Sequence, residues 1–256
     1  MNKKLCLLLC CVVPVNTVLA DVIASGDDCG DDCHWAIHDD GTLDISGTGG
    51  INGYGYFKTD SALYEGGSSH WQSTAPWGQY SAQIKDINIH EGITSIGRVA
   101  FYNLAATSVH LPDTLETMAY GAFQYSALKE VEIPSSVKYI GAAAFYSTSI
   151  KTAVLPENVE FGDIFVADTK SWIFTAATKI YCSQNDEEKC KTIVSNPDII
   201  QTYTKSSNGQ YLVGGKWYNN LDALTSGNRT KKLIYTVEEA EMLSKPTGNK
   251  FKIRYK

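Results

Sequence analysis

The residues with the most chemistry to offer are cysteines and histidines, and several lie close together near the start of the chain. Cys29 and Cys33 are followed by His34 and His38, so two thiols and two imidazoles fall within ten residues. This spacing could hold zinc, but structural zinc sites usually take a second ligand pair from a more distant part of the chain. We therefore predict no metal site and keep zinc as the alternative.

Catalytic motifs are absent from the sequence. There is no Gly-rich phosphate loop, no paired carboxylates and no His-Glu metal motif, and His70, His90 and His110 are scattered. We predict a protein that is not an enzyme and needs no cofactor. A Ser, His and Asp set assembled by the fold remains open.

The first 20 residues have the features of a cleavable signal peptide. Lys3 and Lys4 precede an apolar run at residues 5–13, and a small-residue site at 18–20 precedes the expected cut after Ala20. The run is too short to span ~30 Å of hydrocarbon comfortably. We expect export to the cell surface, the extracellular medium or the periplasm, with no transmembrane segment in the mature chain.

Export makes disulfide bonds the expected use of the cysteines. Of the seven in the chain, three fall within the first 20 residues, and four remain: Cys29, Cys33, Cys182 and Cys190. Four cysteines allow three connectivities. The simplest pairs near neighbours, Cys29 with Cys33 and Cys182 with Cys190.

The charge of the chain excludes one class of partner. The formal net charge is −6, and loss of Lys3 and Lys4 with the signal peptide changes it to −8. Binding to nucleic acid needs clustered Lys and Arg, and no basic stripe is visible in the repeats. We expect no nucleic-acid partner.

A 22-residue repeat between residues 84 and 159 provides the frame for these side chains. Two apolar columns stand two residues apart: Ile87, Val109, Val131 and Ala153, then Ile89, Leu111, Ile133 and Leu155. A further column consists of Phe101, Phe123 and Phe145. Because one repeat cannot bury its apolar face alone, this period predicts a leucine-rich-repeat solenoid with the Phe residues as a buried spine.

The paired columns predict one short strand in each repeat, at residues 84–89, 106–111, 128–133 and 150–155. Pro112, Pro134 and Pro156 follow directly and should end each strand, because proline cannot donate to a ladder. The pattern breaks at Gly162, so we predict that the regular stack fails there. The expected fold is mostly β with short helices and about four to five turns of 22 residues.

These repeats resemble BspA-like leucine-rich repeat proteins, whose turns combine an apolar strand, a proline and an Ile-Gly-x-x-Ala-Phe signature. The signature stands at residues 96–101 and 140–145, and Met118-Ala119 replaces Ile-Gly in the repeat between them. The resemblance extends over residues 29–181. It implies a secreted or surface-displayed solenoid, often linked to adhesion to host matrix proteins or other cells.

The candidate binding residues lie before the repeats and on their exposed side. Residues 35–46 predict a hairpin that caps the open end of the stack. Residues 47–80 form an aromatic insert, in which Trp77 is expected to cover the first repeat and Tyr54 and Tyr56 either bind or fold back. The predicted binding residues are Tyr54, Tyr56, Tyr64, Trp71, Asn88, His110 and Glu132. Val154 belongs to the same outward column as Asn88.

Smaller elements are predicted beyond residue 159. A strand at 179–182 enters a helical cap closed by cysteines at 186–194, and Gly214-Gly215 predicts a hairpin at 211–218. A β-α-β pattern follows at 233–256. The predicted division is a signal peptide at 1–20, a cap and aromatic loop at 21–83, the repeats with their cap at 84–194, and a small unit at 195–256.

Three functions follow from different features of the sequence. The repeats and the export signal favour a non-enzymatic binding or adhesion module for a protein or glycan, with host extracellular matrix as one candidate. The alternating basic strand at residues 250–256 favours a structural cell-envelope protein instead. The His and aromatic content of the insert is the sole support for a hydrolase of surface polymers.

Overall fold

The computed structural model describes residues 20–57, 71–162, 173–194 and 196–218. Within these ranges the chain is mostly β, with 16 strands and one short α-helix. None of the helices in the described ranges is long and apolar enough to cross a membrane.

The described part of the chain starts with an antiparallel meander. It consists of β1 (Val22–Gly26), β2 (Asp32–His38) and β3 (Thr42–Ile51), with Trp35 opposite Ile45 and Ile37 opposite Leu43. Gly41 adopts φ +90° in the connecting turn, a left-handed conformation that glycine reaches without a Cβ clash. This confirms the hairpin predicted at residues 35–46.

Strand β3 also serves as the first member of the repeat stack. Its first half pairs in parallel with β6 (Asp86–Ile89), and its second half pairs in parallel with β7 (Ile93–Ile96). Leu43 lies opposite Ile87, 44 residues later, which is two repeat periods. The hairpin therefore covers the open end of the stack by supplying a strand to both of its ladders.

The repeats build two parallel ladders. The first runs from β3 through β6 to β8 (Ser108–His110). The second runs from β3 through β7, β9 (Thr117–Met118) and β10 (Tyr139–Ile140) to β12 (Glu160–Phe161). Met118 lies opposite Ile140, so the register follows the 22-residue period.

The structure corrects two expectations about the repeats. Residues 128–133 form no strand, although Val131 and Ile133 are buried as their columns require; nothing in the structure explains the missing ladder. The stack does not fail at Gly162, because its backbone N–H donates to the Ile140 carbonyl at 2.9 Å. A Cβ at Gly162 would lie 2.1 Å from the Tyr139 hydroxyl, so glycine preserves the packing there.

A stacked aromatic spine runs through the core. Phe101, Phe123 and Phe145 are fully buried, and their successive ring centroids are 5.1 and 5.3 Å apart. Trp77 stacks on Phe101 at 5.4 Å and Phe174 on Phe145 at 5.1 Å. The predicted Phe spine is confirmed. Trp77 and Phe174 lengthen it by one ring at each end, although neither lies at a 22-residue interval from its neighbour. The indole Nε1–H of Trp77 donates to the Ala100 carbonyl at 2.9 Å, which satisfies the polar atom that the ring brings into the core.

A second sheet follows the repeats. Its strands, in order of pairing, are β11 (Thr152–Val154), β13 (Lys179–Ser183), β14 (Ile200–Lys205), β15 (Tyr211–Val213) and β16 (Lys216–Tyr218). The last two form the hairpin predicted around Gly214-Gly215. The strands of this sheet come from both sides of the domain boundary predicted between residues 194 and 195. That division stays a prediction.

The exposed side of this second sheet differs from that of the repeats. Val154, expected to face outward, is buried in a small cluster with Tyr181, Tyr203 and Val213. The Tyr203 hydroxyl donates to the Leu155 carbonyl at 2.8 Å. Strands β14 and β15 supply apolar partners that the repeat period does not reveal, so the outward column is covered at this end.

Candidate functional site

The outer side of the first ladder carries a line of polar side chains on neighbouring strands. Asp44 on β3 lies opposite Asn88 on β6, and Asn88 lies opposite His110 on β8. All three are partly exposed. We call these three residues the sheet row. The parallel ladder fixes their order and spacing, since each strand places its residue at the same level.

Asp44 organises the first part of the sheet row. Its Oδ1 lies 2.6 Å from Asn88 Nδ2 and 3.0 Å from His90 Nε2, and its Oδ2 lies 2.8 Å from His38 Nε2. The carboxylate therefore binds side chains that come from three segments: the end of β2, β6 and the turn after β6. These contacts hold the side chains of Asp44 and Asn88 in one arrangement.

The same contacts set the charge of the site. Burial acts to raise the pKa of Asp44, but the hydrogen bonds from His90 and Asn88, with the charges of His90 and His38, outweigh it and lower that pKa below its ordinary value of 3.8. Asp44 is therefore ionised at neutral pH. The site presents a fixed negative charge with imidazoles beside it.

His38 uses both ring nitrogens within the protein. Nε2 meets Asp44, and Nδ1 lies 3.2 Å from the carbonyl oxygen of Ala20. A catalytic imidazole needs one nitrogen for an orienting carboxylate and the other for a nucleophile or substrate. Both ring nitrogens are engaged while Ala20 is present. The cleavage predicted after Ala20 would remove the contact at Nδ1.

The predicted aromatic residues do not join the sheet row. Tyr54 is half-buried and packs edge-on against Trp77 at 5.4 Å, with its hydroxyl donating to the Asp28 carbonyl at 3.3 Å. Burial, followed by the nearby charge of Asp28, raises the pKa of Tyr54 well above the usual tyrosine range. Tyr54 is therefore folded back against the core, which is one of the two alternatives predicted for it.

The other members of the insert are described through their backbones. Tyr56 lies on β4 (Gly55–Phe57), which pairs antiparallel with β5 (Trp71–Ser73), where Trp71 begins the strand. Tyr64 lies outside the described residues. Glu132 is exposed but belongs to the segment without a strand. Of the predicted set, the ladder brings together Asn88 and His110.

Two residues complete this surface: Asp44, which the sequence reading missed, and His38, which it named only as a possible zinc ligand. The available signal was the repeat period itself, because Asp44 stands two periods of 22 residues before Asn88. The residues inserted between β3 and β6 hide this relation from a search confined to residues 84–159. His38 carries no periodic signal and reaches Asp44 through the hairpin.

The cysteines pair as the simplest connectivity predicts. Cys29 bonds to Cys33 and Cys182 bonds to Cys190, and all four are buried. The second bond joins β13 to α1 (Glu187–Lys191). Because the first bond uses both thiols of the zinc alternative, that ligand set is not available in this structure.

The two imidazoles of that alternative are also engaged elsewhere. His34 is exposed, and its Nδ1 lies 2.7 Å from Asp27 Oδ1. This hydrogen bond, with the charges of Asp27 and Asp32, raises the pKa of His34 against a smaller opposing effect of burial. His38 contacts Asp44, as described above.

The comparison with family models addresses the repeats directly. Residues 79–175 match the model described as "BspA type Leucine rich repeat region", in six copies. Residues 79–175 thus belong to the BspA type of leucine-rich repeat region. The predicted resemblance is thereby confirmed for the repeat region, and a surface or binding role is the general expectation for the family. No curated protein matches the sequence.

Solved structures of bacterial leucine-rich repeat proteins also match. One from Eubacterium ventriosum is 21% identical, with a TM-score of 0.43, covering 75% of this chain and 48% of that one. The pneumococcal vaccine antigen PcpA is 14% identical, with a TM-score of 0.33, covering 77% and 54%. A leucine-rich cell surface protein from Faecalibacterium prausnitzii is 17% identical, with a TM-score of 0.32, covering 75% and 61%. The chain spans about half the length of the first two structures that it matches.

Proposed function

We propose that this protein is an exported, non-enzymatic binding module whose sheet row engages a partner at the cell surface. The observation that carries the proposal is the prearranged line Asp44, Asn88 and His110 on the outer side of a parallel ladder. A protein is the partner we favour, and a glycan is the alternative ligand.

Charge and rigidity support a protein partner. The sheet row and the neighbouring row on the same strands, Thr42, Asp86 and Ser108, contain two carboxylates and no Lys or Arg. The Ser108 hydroxyl donates to Asp86 Oδ1, so the second row is also internally organised. A surface of this kind suits a partner that offers cationic or hydrogen-bond donor groups, and its fixed geometry lowers the entropy cost of binding.

The proposal includes the predicted architecture. The repeats form a solenoid of about four to five turns, the N-terminal hairpin caps it, and cleavage after Ala20 releases an exported chain. Parallel ladders with 22-residue register support the solenoid. The aromatic insert, with Tyr56, Tyr64 and Trp71, adds a second contact area beside the rigid repeats.

The test is binding of the purified, oxidised protein to an array of extracellular matrix proteins, mucins and glycans. We expect saturable binding to a protein ligand that is weakened about tenfold or more by Asn88→Ala combined with His110→Ala. The matched control is Thr94→Ala, which removes an exposed side chain from the other ladder.

Two further results would decide against the proposal. Binding that persists in Phe123→Ala, whose buried spine is broken, would not depend on the fold. If the double variant binds as tightly as Thr94→Ala, the sheet row is not part of the interface.

A further inference from the structure

Three tyrosines lie side by side on successive repeats, in columns that do not belong to the sheet row. Tyr102, Tyr125 and Tyr146 have neighbouring ring centroids 5.5 Å apart, with Tyr125 nearly perpendicular to each partner. Tyr125 is 42% exposed, and the other two are partly exposed. We call these residues the tyrosine row.

The central tyrosine occupies a position that disfavours it. In the 22-residue alignment, Tyr125 shares a column with Asn103 and Ser147, and all three have left-handed backbones with φ of 62°, 55° and 58°. Asn tolerates this conformation, whereas a bulky side chain rarely adopts it. Tyr102 and Tyr146 belong to the preceding column, so the middle repeat has its tyrosine one place later.

Gln124 takes the place that tyrosine holds in the flanking repeats, and it adds a second cost. It is 6% exposed, and among the described residues no donor reaches its Oε1. A buried carbonyl oxygen without a donor is rare in native proteins. A tyrosine at 124 with Asn or Ser at 125 would follow the repeat and avoid both penalties.

Strain and an unsatisfied buried group in the same repeat point to selection for something other than stability. What the arrangement supplies is an exposed phenol ring between two others, which continues the aromatic surface across three repeats. Burial, followed by the charge of Tyr146 and the hydrogen bond with it, raises the pKa of Tyr125 above its ordinary value. The row is thus a continuous surface of rings and hydroxyl groups.

The surroundings of the row indicate the chemistry of its ligand. Residues 102–105, 124–127 and 146–149 contain no charged side chain, although 20% of the chain is charged. They offer hydroxyl and amide groups next to the rings, for example Asn103 and Ser147, which are both exposed. A neutral ligand with many hydroxyl groups and apolar ring faces matches this surface, because aromatic side chains combine an apolar face with a polar tip.

A proline-rich peptide matches it less well. Such peptides insert proline rings into grooves between aromatic side chains, and here successive rings are in contact at 5.5 Å, which leaves no groove between them. A sugar chain needs no groove, since its rings can lie across the aromatic surface.

We propose that the tyrosine row is a binding site for a neutral glycan, with sugar rings against the phenol rings and sugar hydroxyls on the flanking amide and hydroxyl groups. The site is separate from the sheet row and does not depend on the function proposed for it.

The deciding variant is Tyr125→Asn, which places in the middle repeat the residue that Asn103 already provides in the same column. Relief of backbone strain should keep the melting temperature equal or raise it, while removal of the ring should weaken glycan binding about tenfold or more. Tyr125→Ser, matching Ser147, is a second variant with the same expectation. Thr94→Ala, which removes an exposed side chain outside both the tyrosine row and the sheet row, should leave glycan binding unchanged.

The probes are neutral hexasaccharides of α- and β-linked glucose, mannose and galactose, an acidic hexasaccharide and a proline-rich decapeptide, titrated against the purified protein by calorimetry. Saturable binding of a neutral hexasaccharide that is lost in Tyr125→Asn, with the fold intact, supports the site. Binding that is unchanged in Tyr125→Asn, binding of the acidic probe or decapeptide alone, or no binding of any neutral probe would each overturn it. Loss of protein binding in the sheet-row variant concerns the other proposal and leaves this result unaffected.

Discussion

At the scale of single residues, Asp44 shows how a polar site is held on a repeat surface. Its carboxylate meets His38, Asn88 and His90 at 2.6–3.0 Å. A half-buried carboxylate is costly unless it is paired and hydrogen-bonded. The pairing ties the hairpin to the first repeat, so the same contacts serve stability and the proposed binding surface.

The lowered pKa of Asp44 predicts how stability depends on pH. Since the folded value lies below the ordinary 3.8, the ionised carboxylate stabilises the fold fully above about pH 4, and this contribution is lost as pH falls through the folded value. Asp44→Asn should therefore be less stable than the parent at pH 7, with the difference shrinking at pH 2 to 3. Urea unfolding at both pH values measures it.

Asp31→Asn is the matched control, because Asp31 is exposed. A difference between Asp44→Asn and the parent that stays constant from pH 7 to pH 2 would show that the Asp44 charge is not stabilising.

Gly162 gives a second prediction at this scale. Its missing Cβ leaves room for the Tyr139 hydroxyl, which would otherwise lie 2.1 Å away. Gly162→Ala should therefore destabilise the last repeat of the second ladder, and Gly162→Ala with Tyr139→Phe should recover part of the loss. Thermal unfolding of the single and double variants tests this, and no recovery would assign the loss to another contact.

At the scale of elements, the aromatic spine connects the repeats. Phe123 stacks on Phe101 and Phe145 with interplanar angles of 13° and 2°. A spine of identical side chains requires each repeat to present its Phe at the same height, and this condition keeps the period at 22. Trp77 and Phe174 extend the spine where the sequence spacing changes, because a planar ring of another type or position can fill the same layer.

Phe123→Ala should cost about 3–5 kcal/mol in the free energy of unfolding, because the ring is fully buried and the cavity lies in the middle of the stack. Denaturant unfolding measures the loss, with the exposed Lys129→Ala as control. A melting temperature equal to that of the parent would contradict the role of Phe123 in the core.

The Cys182–Cys190 bond fixes helix α1 against β13. Closing this short loop should contribute about 2–3 kcal/mol in the chain-entropy description. Replacing both cysteines by Ser should lower stability by that amount, and the Cys29 and Cys33 double variant, with a shorter loop, should lose slightly less. Denaturant unfolding of the two oxidised variants measures both stability losses. A larger loss for the Cys29 and Cys33 variant than for the Cys182 and Cys190 variant would contradict the prediction.

At the scale of the whole molecule, stability depends on covering both ends of the stack. Each repeat packs on its neighbours, so a missing end exposes apolar columns and strand edges. The N-terminal end is covered by β3, and the other end continues into the second sheet.

A chain lacking residues 21–51 should therefore aggregate or bind an apolar dye, since Ile87, Ile89, Ile93 and Ile96 lose the strand that pairs with theirs. Light scattering and dye fluorescence measure this. A soluble truncated protein with the parent's far-UV spectrum would show that the hairpin is dispensable as a cap.

The sequence alone determined the elements whose signal is periodic or local. The Phe spine, three of the four predicted repeat strands and the two glycine-containing hairpins follow from spacing, because strand alternation and repeat stacking impose fixed intervals on side chains. The four cysteines allowed three connectivities, and the structure has the one that pairs near neighbours. Only the tertiary structure decided contacts across an insertion. Asp44 reaches Asn88 over 44 residues, Val154 is covered by strands outside the repeat, and Tyr125 moves into a row with Tyr102 and Tyr146 by occupying the next column. Such contacts depend on where the chain returns in space, which no fixed interval in the sequence encodes.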